Sequence, residues 1–149
     1  MKYILEDESN YEIYFIEQHN DLPFNRGAMK NLGFKKIKEN YPETYKHITI
    51  VFQDVDTIPY KKELVTFTTT PGIVKHFYGF RFALGGMFCI NAGDFEHVGG
   101  FPNFWSWGFE DTALNKRCSR KNIHIDRSIF FKSGSKEFLQ FSIINGHDI

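Results

Sequence analysis

Two acidic pairs and one arginine are the residues of this chain whose types and spacing could do chemistry. Glu110 and Asp111 follow directly on a stretch, 99–109, that holds four glycines or prolines and both tryptophans, Trp105 and Trp107. A carboxylate in a partly water-excluded aromatic pocket can take a proton from an incoming hydroxyl when its pKa is tuned upward. Rings beside it can stack on a flat or apolar ligand face, and the combination suits a sugar. The simpler role for the pair is negative charge at a helix start, complementing the macrodipole. Two tryptophans in a Gly-bounded loop could also plug a core, but a core does not call for flanking carboxylates.

Asp54-Val55-Asp56 is the second constellation. It follows the apolar run 48–52 abruptly, and in open α/β sheets ligands bind off the carboxyl ends of strands. In extended backbone the i, i+2 spacing aims both side chains to one side, so that two carboxylates could meet one cation. Mg²⁺ and Mn²⁺ take one or two protein carboxylates when a diphosphate supplies the remaining oxygens. The competing reading is turn formation and loop capping. Third comes Phe24-Asn25-Arg26, placed just before a helix, where the Arg26 fork could reach a phosphate or a nucleobase carbonyl with Phe24 as a wall. An arginine at a helix start is otherwise a surface residue. Of the six histidines, His47, His76, His97 and His124 read as strand-end or surface residues, and His147 near the terminus as a remote metal-ligand candidate.

The elements that must position these groups alternate between strand and helix. Residues 1–7 suggest a short helix and 11–16 a compact β-branched and aromatic strand. A helical stripe of Ala28, Leu32 and Ile37 runs to about Glu39. The run 48–52 reads as a parallel strand covered on both faces. Two further strands are expected at 73–82 and 86–90, with a bend at Leu84-Gly85-Gly86 between them. A short helix is expected at 91–98 with Asn91 as its cap, and the main C-terminal helix at 111–121. Short edge strands at 123–125 and 129–131 follow, and the tail from Ser133 gives weak signals.

With 149 residues, the chain is most economically one domain, 1–149, able to bury roughly 70% of its unfolded surface. Eighteen basic and eighteen acidic residues balance, so net charge gives no reason to expect a nucleic-acid partner. The cluster Lys116, Arg117, Arg120 and Lys121 reads as the solvated face of a helix. No apolar run approaches the ~18 residues of a membrane span, and the N-terminus turns acidic too soon for a signal peptide, so a soluble chain is expected. Cys89 and Cys118 have no zinc spacing and read as free structural thiols.

In this order and at these separations the blocks resemble the β-1,4-galactosyltransferase family, inverting transferases with a GT-A type nucleotide-sugar fold. The matching pieces are Phe24-Asn25-Arg26 with Asn31-Leu32-Gly33-Phe34, then Phe52-Gln53-Asp54-Val55-Asp56-Thr57-Ile58-Pro59, then Gly85-Gly86, and Gly100-Phe101-Pro102-Asn103 through Trp105-Ser106-Trp107-Gly108-Phe109-Glu110-Asp111. The resemblance implies an α/β fold, a Rossmann-like mixed sheet with flanking helices. It implies that Phe24 and Arg26 contact the uridine nucleotide, Asp54 and Val55 the donor's ribose region, and Asp56 a Mn²⁺ (or Mg²⁺) holding the diphosphate. Trp107 would belong to a mobile loop closing over donor and acceptor. Trp105, Glu110 and Asp111 would hold the acceptor sugar, with Asp111 the general base. Partners would be a UDP-sugar donor and a glycan acceptor, and family members are typically Golgi lumenal.

The chain departs from the family pattern in three places. Phe109 stands at a glycine position and Thr112 at an acid position. The Met and His that complete the family's metal site have no match near 129–134. The family's first strand with its nucleotide-binding turn has no counterpart, so the isolated chain is expected to be a weak or inactive transferase whose 11–16 edge invites a second copy or a partner chain. Two other classes compete: a catalytically inactive or split-fragment sugar- or nucleotide-binding domain, and a phosphoryl hydrolase built on Asp54 and Asp56, which lacks a second acidic cluster.

Overall fold

The computed structural model describes residues 4–6 and 10–141. Helix α1, Arg26–Asn40, starts where Asn25 caps it: the Asn25 side chain accepts from the Ala28 N–H, and its Cα sits ahead of the first turn. The first strand, β1, is Thr49–Gln53, followed after a tight turn by β2, Thr57–Pro59. Strands β3, Ile73–Gly79, and β4, Met87–Asn91, make the centre of the sheet. Asn91 then caps α2, Ala92–His97, by accepting from the Gly93 and Asp94 N–H groups, as the sequence indicates. Helix α3 is Glu110–Arg120, and β5, His124–Asp126, β6, Phe131–Lys132, and β7, Phe138–Gln140, complete the chain.

The main sheet runs β1-β4-β3-β5, with β6 also paired to β3, while β2 and β7 form a separate two-stranded clip. Pairing is mixed: β1 with β4 and β3 with β4 are antiparallel, and β3 with β5 and with β6 are parallel. The expectation for 48–52 therefore needs correction. The strand is an antiparallel edge strand; Ile50 and Phe52 enter one core cluster and Val51 packs on the other, so both faces are covered as expected and the direction alone differs. A short apolar run does not by itself tell the direction of the strand it pairs with, because antiparallel strands can also be covered on both faces.

Residues 11–16 are not a strand either. They run without regular secondary structure, Tyr11, Ile13 and Phe15 exposed, and Ile16 lies against Gly33 of α1. The sheet edge expected there, with its invitation to a partner, is absent among the described residues. Strand β3 stops at Gly79, where φ is 137°, short of the expected Phe82. Of the expected N-terminal helix the described residues Ile4, Leu5 and Glu6 form a turn. His147 lies outside the described residues. The strand β7 had no sequence signal strong enough to name.

One face of the sheet packs on α1, α2 and α3 through an aromatic core in which Phe52, Phe88, Phe95 and Phe101 meet ring against ring, Phe52 to Phe95 at 4.9 Å and Phe52 to Phe101 at 5.5 Å. The other face carries Val65, Phe77, Tyr78, Met87 and Phe138. Cys89 and Cys118 are free and buried, and burial pushes their thiols up to about 11 and about 12. Helix α1 approaches the 99–103 loop at Gly27, where a Cβ would fall 2.4 Å from the Pro102 carbonyl oxygen. That atom is backbone and cannot swing aside. Gly27→Ala should thus destabilise the fold by about 1–3 kcal/mol, read as a shift in the urea midpoint at unchanged m.

Candidate functional site

The site forms where the N-termini of α1 and α3 meet the turns after β1 and before β4. Asn25 is fully buried, capping α1 and donating its amide to the Asn103 side chain. Asn31, on the same helix, donates to the Phe101 carbonyl at 2.9 Å and accepts from the Phe101 N–H at 3.0 Å. From the other side Arg117 donates to the carbonyls of Gly99 and Gly100, at 2.8 and 2.6 Å. Arg117 is therefore a structural clamp rather than part of a solvated face. Gripped at both ends, the loop plugs the core with Phe101 and enters α3 beyond it.

This arrangement brings Arg26, Asp54, Glu110 and Asp111 together. The Arg26 guanidinium lies 3.5 Å from Asp54, 3.6 Å from Glu110 and 3.3 Å from Asp111. Lys30, one turn on, lies 3.3 Å from Asp54 and 3.6 Å from Asp111, with its ammonium over the Phe101 ring at 5.0 Å. Sequence reading missed Lys30, although its i+4 spacing from Arg26 puts both cations on one helix face. Three carboxylates thus share two cations, and one negative charge is left uncompensated.

Asp111 carries the consequence. Burial, the largest influence, raises its pKa above the ordinary aspartate value, Lys30 and Arg26 oppose the rise, and Asp54 and Glu110 add to it. Its Oδ1 is buried and accepts no hydrogen bond, since Lys30 at 3.6 Å is near enough for attraction but too far to donate. The Oε2 of Glu110, whose side chain is almost fully buried, is likewise without a donor. Adjacent buried acceptors left open are costly unless a ligand donates to them.

Backbone geometry explains the glycine pair. A Cβ on Gly85 would lie 2.3 Å from Asp111 Oδ2, and one on Gly86, at φ 68°, 2.4 Å from the Tyr78 carbonyl oxygen. The turn also links the two acids, because the Asp54 N–H donates to the Gly86 carbonyl at 2.9 Å and the Leu84 N–H to the Asp111 carbonyl at 3.0 Å.

The remaining expected residues divide. Asp54 and Asp56 do not lie along an extended strand: they flank a turn closed by the Thr57 N–H on the Asp54 carbonyl at 3.3 Å. Asp54 is engaged by Arg26 and Lys30, while the Asp56 carboxylate has no ion pair among the described residues. No group of three or more His, Cys, Asp or Glu suited to a metal occurs among the described residues. Val55, 87% exposed, tops the turn, and Phe24 is half exposed at the start of α1. Trp105 is half exposed and Trp107 77% exposed, so neither is a core plug. Phe109 is 82% exposed with φ 68° at the start of α3.

His76 is the other correction. Far from the surface, it is fully buried in β3, its Nε2 3.0 Å from the Tyr78 carbonyl oxygen and 3.1 Å from that of Gly85, its Nδ1 accepting from Arg127 Nε at 2.9 Å. Burial first, then the charge of Arg127, lowers its pKa to about 4 against the pull of the two carbonyls.

The fold and site define a mixed-sheet α/β protein of the GT-A type. Over 93% of the chain the structure superposes on the catalytic domain of Drosophila beta1,4galactosyltransferase 7 in complex with xylobiose, at TM-score 0.74 and 20% identity, covering 60% of that chain. A mutant of that enzyme with manganese, UDP-Gal and xylobiose superposes at TM-score 0.73 and 19% identity, over 93% of this chain and 60% of that one. Residues 2–67 match the N-terminal region of glycosyl transferase group 7, and residues 73–138 the N-terminal domain of galactosyltransferase. Beta-1,4-galactosyltransferase 2 of Cricetulus griseus is 34% identical over 130 residues, 78% of this chain and 33% of its own length. Beta-1,4-galactosyltransferase 1 of Mus musculus is 32% identical over 127 residues, 79% of this chain and 31% of its own. The chain belongs to the galactosyltransferase-like family, as its sequence blocks indicate, and spans about a third of the length of these curated relatives.

Two stability measurements check this geometry. A phenyl side chain in the left-handed region is strained, so Phe109→Gly should stabilise the fold by about 0.5–1 kcal/mol in urea melts. His76 titrates lower in the folded chain than in the unfolded one, so between pH 6.5 and about 4 only the unfolded chain takes up its proton. Stability present above pH 6.5 is therefore lost as pH falls to about 4, by roughly 3 kcal/mol, and His76→Gln should flatten that part of the stability profile.

Proposed function

We propose that this chain is a single domain carrying the reaction centre of a UDP-sugar-dependent hexosyltransferase, galactosyltransferase-like, which moves galactose or a related hexose to a sugar hydroxyl with inversion. The observation that carries the reading is the buried, hydrogen-bond-free Oδ1 of Asp111, on a carboxyl whose pKa burial raises, beside an exposed aromatic loop. An acceptor hydroxyl donates to Oδ1 and gives up its proton there. Its oxygen then bonds to the anomeric carbon from the face opposite the diphosphate, whose bond to that carbon breaks with the electron pair leaving on UDP. A single displacement inverts the centre.

In this reading Glu110 shares the acceptor with Trp105, and its second buried oxygen takes another sugar hydroxyl. Arg26 faces the donor's nucleotide, with Phe24 as the wall beside it. Asp54 meets the ribose region, exposed Val55 lies against it, and Trp107 closes over the donor from the loop. Arg26 and Lys30 favour the ionised form of Asp111, the form a base needs, against the burial that disfavours it.

Asp56 is the residue on which a Mn²⁺ or Mg²⁺ would depend. One carboxylate with no further donors among the described residues is not a metal centre on its own. A cation that gathers its other oxygens from the donor's diphosphate is compatible with it, and would supply charge stabilisation on the leaving group. The Drosophila mutant that superposes on this chain was solved with manganese and UDP-Gal together, which supports the use of a divalent cation with the donor. A second reading, a sugar- or nucleotide-binding domain without turnover, is favoured by the same shortage of donors.

Calorimetry with UDP-sugars, with and without Mn²⁺, followed by a UDP-release assay on simple acceptors, separates the two. Asp111→Asn should lose ~10²-fold or more in turnover with donor binding retained, and equal loss of both would make Asp111 a helix-capping residue only. Turnover should also fall on acidification through a pKa above that of an exposed aspartate, because protonated Asp111 cannot accept the hydroxyl proton. Asp56→Asn should abolish the cation-dependent part of UDP binding. Mn²⁺ without nucleotide should show no saturable heat, and UDP binding unchanged by EDTA would remove the metal from the scheme.

A further inference from the structure

We propose that His76 is a positioning residue for Asp111: its single N–H holds the Gly85 carbonyl, and with it the wall against which the Asp111 carboxylate lies. The role rests on the reading of Asp111 as the base.

Both groups facing Nε2 are carbonyl oxygens, so the proton must reside on that nitrogen and is shared between Tyr78 and Gly85. Nδ1 is then left as an acceptor, and the group it meets is Arg127 Nε, a permanent donor. Two carbonyls on one side and a guanidinium on the other fix tautomer and ring orientation together. The Phe130 ring covers the imidazole at 4.8 Å. The charged groups nearby are Arg127 and Arg81, which both lie over the Phe130 ring, at 5.9 and 5.0 Å.

The connections form a closed circuit. From β3, His76 reaches Gly85 in the turn before β4. Gly85 borders Asp111 so closely that its missing Cβ leaves the space occupied by Oδ2, and the neighbouring Leu84 N–H holds the Asp111 carbonyl. Along α3, one turn beyond Asp111, Asn115 accepts from Arg127 Nη2 at 2.8 Å, and Arg127 returns to His76. Asp111 is thus held at its main chain by the Leu84 N–H and bordered at Oδ2 by Gly85, whose carbonyl the imidazole holds in turn. With the N–H gone, the buried Gly85 carbonyl loses its donor and the turn must shift to find another. The carboxylate that rests on it shifts too, and misplacement by about 1 Å is enough to cost a base most of its effect.

Two substitutions test this. His76→Leu removes the donor, whereas His76→Gln places an amide N–H near the former Nε2. In the leucine variant kcat should fall about tenfold or more with the donor KM unchanged, and the Leu84 amide should exchange with deuterium faster. The glutamine variant should stay within about threefold of wild type in kcat and near it in exchange. A role confined to stability would lower the melting temperature without separating kcat from KM. If the leucine variant does not fold, His76→Asn, too short to reach Gly85, should give the same kcat loss. Wild-type kcat and wild-type Leu84 exchange in either donor-less variant would overturn the proposal. Exchange needs no turnover, so a wild-type chain without transferase activity would defeat the reading of Asp111 while exchange still decides the His76 link.

Discussion

The structure depends on one arrangement of charge: two cations from a single helix face set among three carboxylates drawn from two other segments. Arg26 and Lys30 come from α1, Asp54 from the turn after β1, and Glu110 with Asp111 from the start of α3. All five side chains are mostly removed from water. Under those conditions attraction is strong but desolvation is costly, and removing one partner typically costs about 3–5 kcal/mol because the others are left uncompensated. The excess of one carboxylate is what makes the cluster more than a fastening. It leaves acceptor oxygens open, and the group with the raised pKa is one of those that owns an open oxygen.

The aromatic residues serve two separate tasks that composition cannot tell apart. Phe52, Phe88, Phe95 and Phe101 pack as one core under the cluster, and Phe101 also faces the Lys30 ammonium, so hydrophobic packing sets the height at which the cation sits. Further along the same stretch Trp107 and Phe109 are largely in solvent and Phe104 and Trp105 half exposed. The divide falls at Asn103, which Asn25 grips from the cap of α1.

What could be read from the sequence follows the range over which each feature is determined. The Asn91 cap, the extent of α1 and the start of α3 rest on neighbours a few residues away, whereas the ion pairs of Arg26 with Glu110 and Asp111 join distant segments and were not read from the sequence. Nor was the direction of β1, because pairing with β4 is decided by residues far along the chain. Residues 11–16 have strand-like composition but no strand beside them among the described residues, and propensity without pairing forms no sheet. His76 was misplaced for the same reason. Its burial is tolerable only because Tyr78, Gly85 and Arg127 satisfy both ring nitrogens, and no local pattern announces three partners from three segments. Lys30 was overlooked although its spacing was visible.

The ion pair between Arg26 and Asp111 joins residues separated by 85 positions. As the chain is synthesised, α1 emerges first, carrying two cations before any carboxylate of the final cluster has been made. Asp54 arrives next, and the acid pair only after β3, β4 and α2 have been made. Closing so long a loop costs chain entropy before the contact returns any gain, so the charge cluster is among the non-local contacts that slow folding. Strands β1, β3 and β4 and helices α1 and α2 are therefore all synthesised before the cluster has its full set of charges.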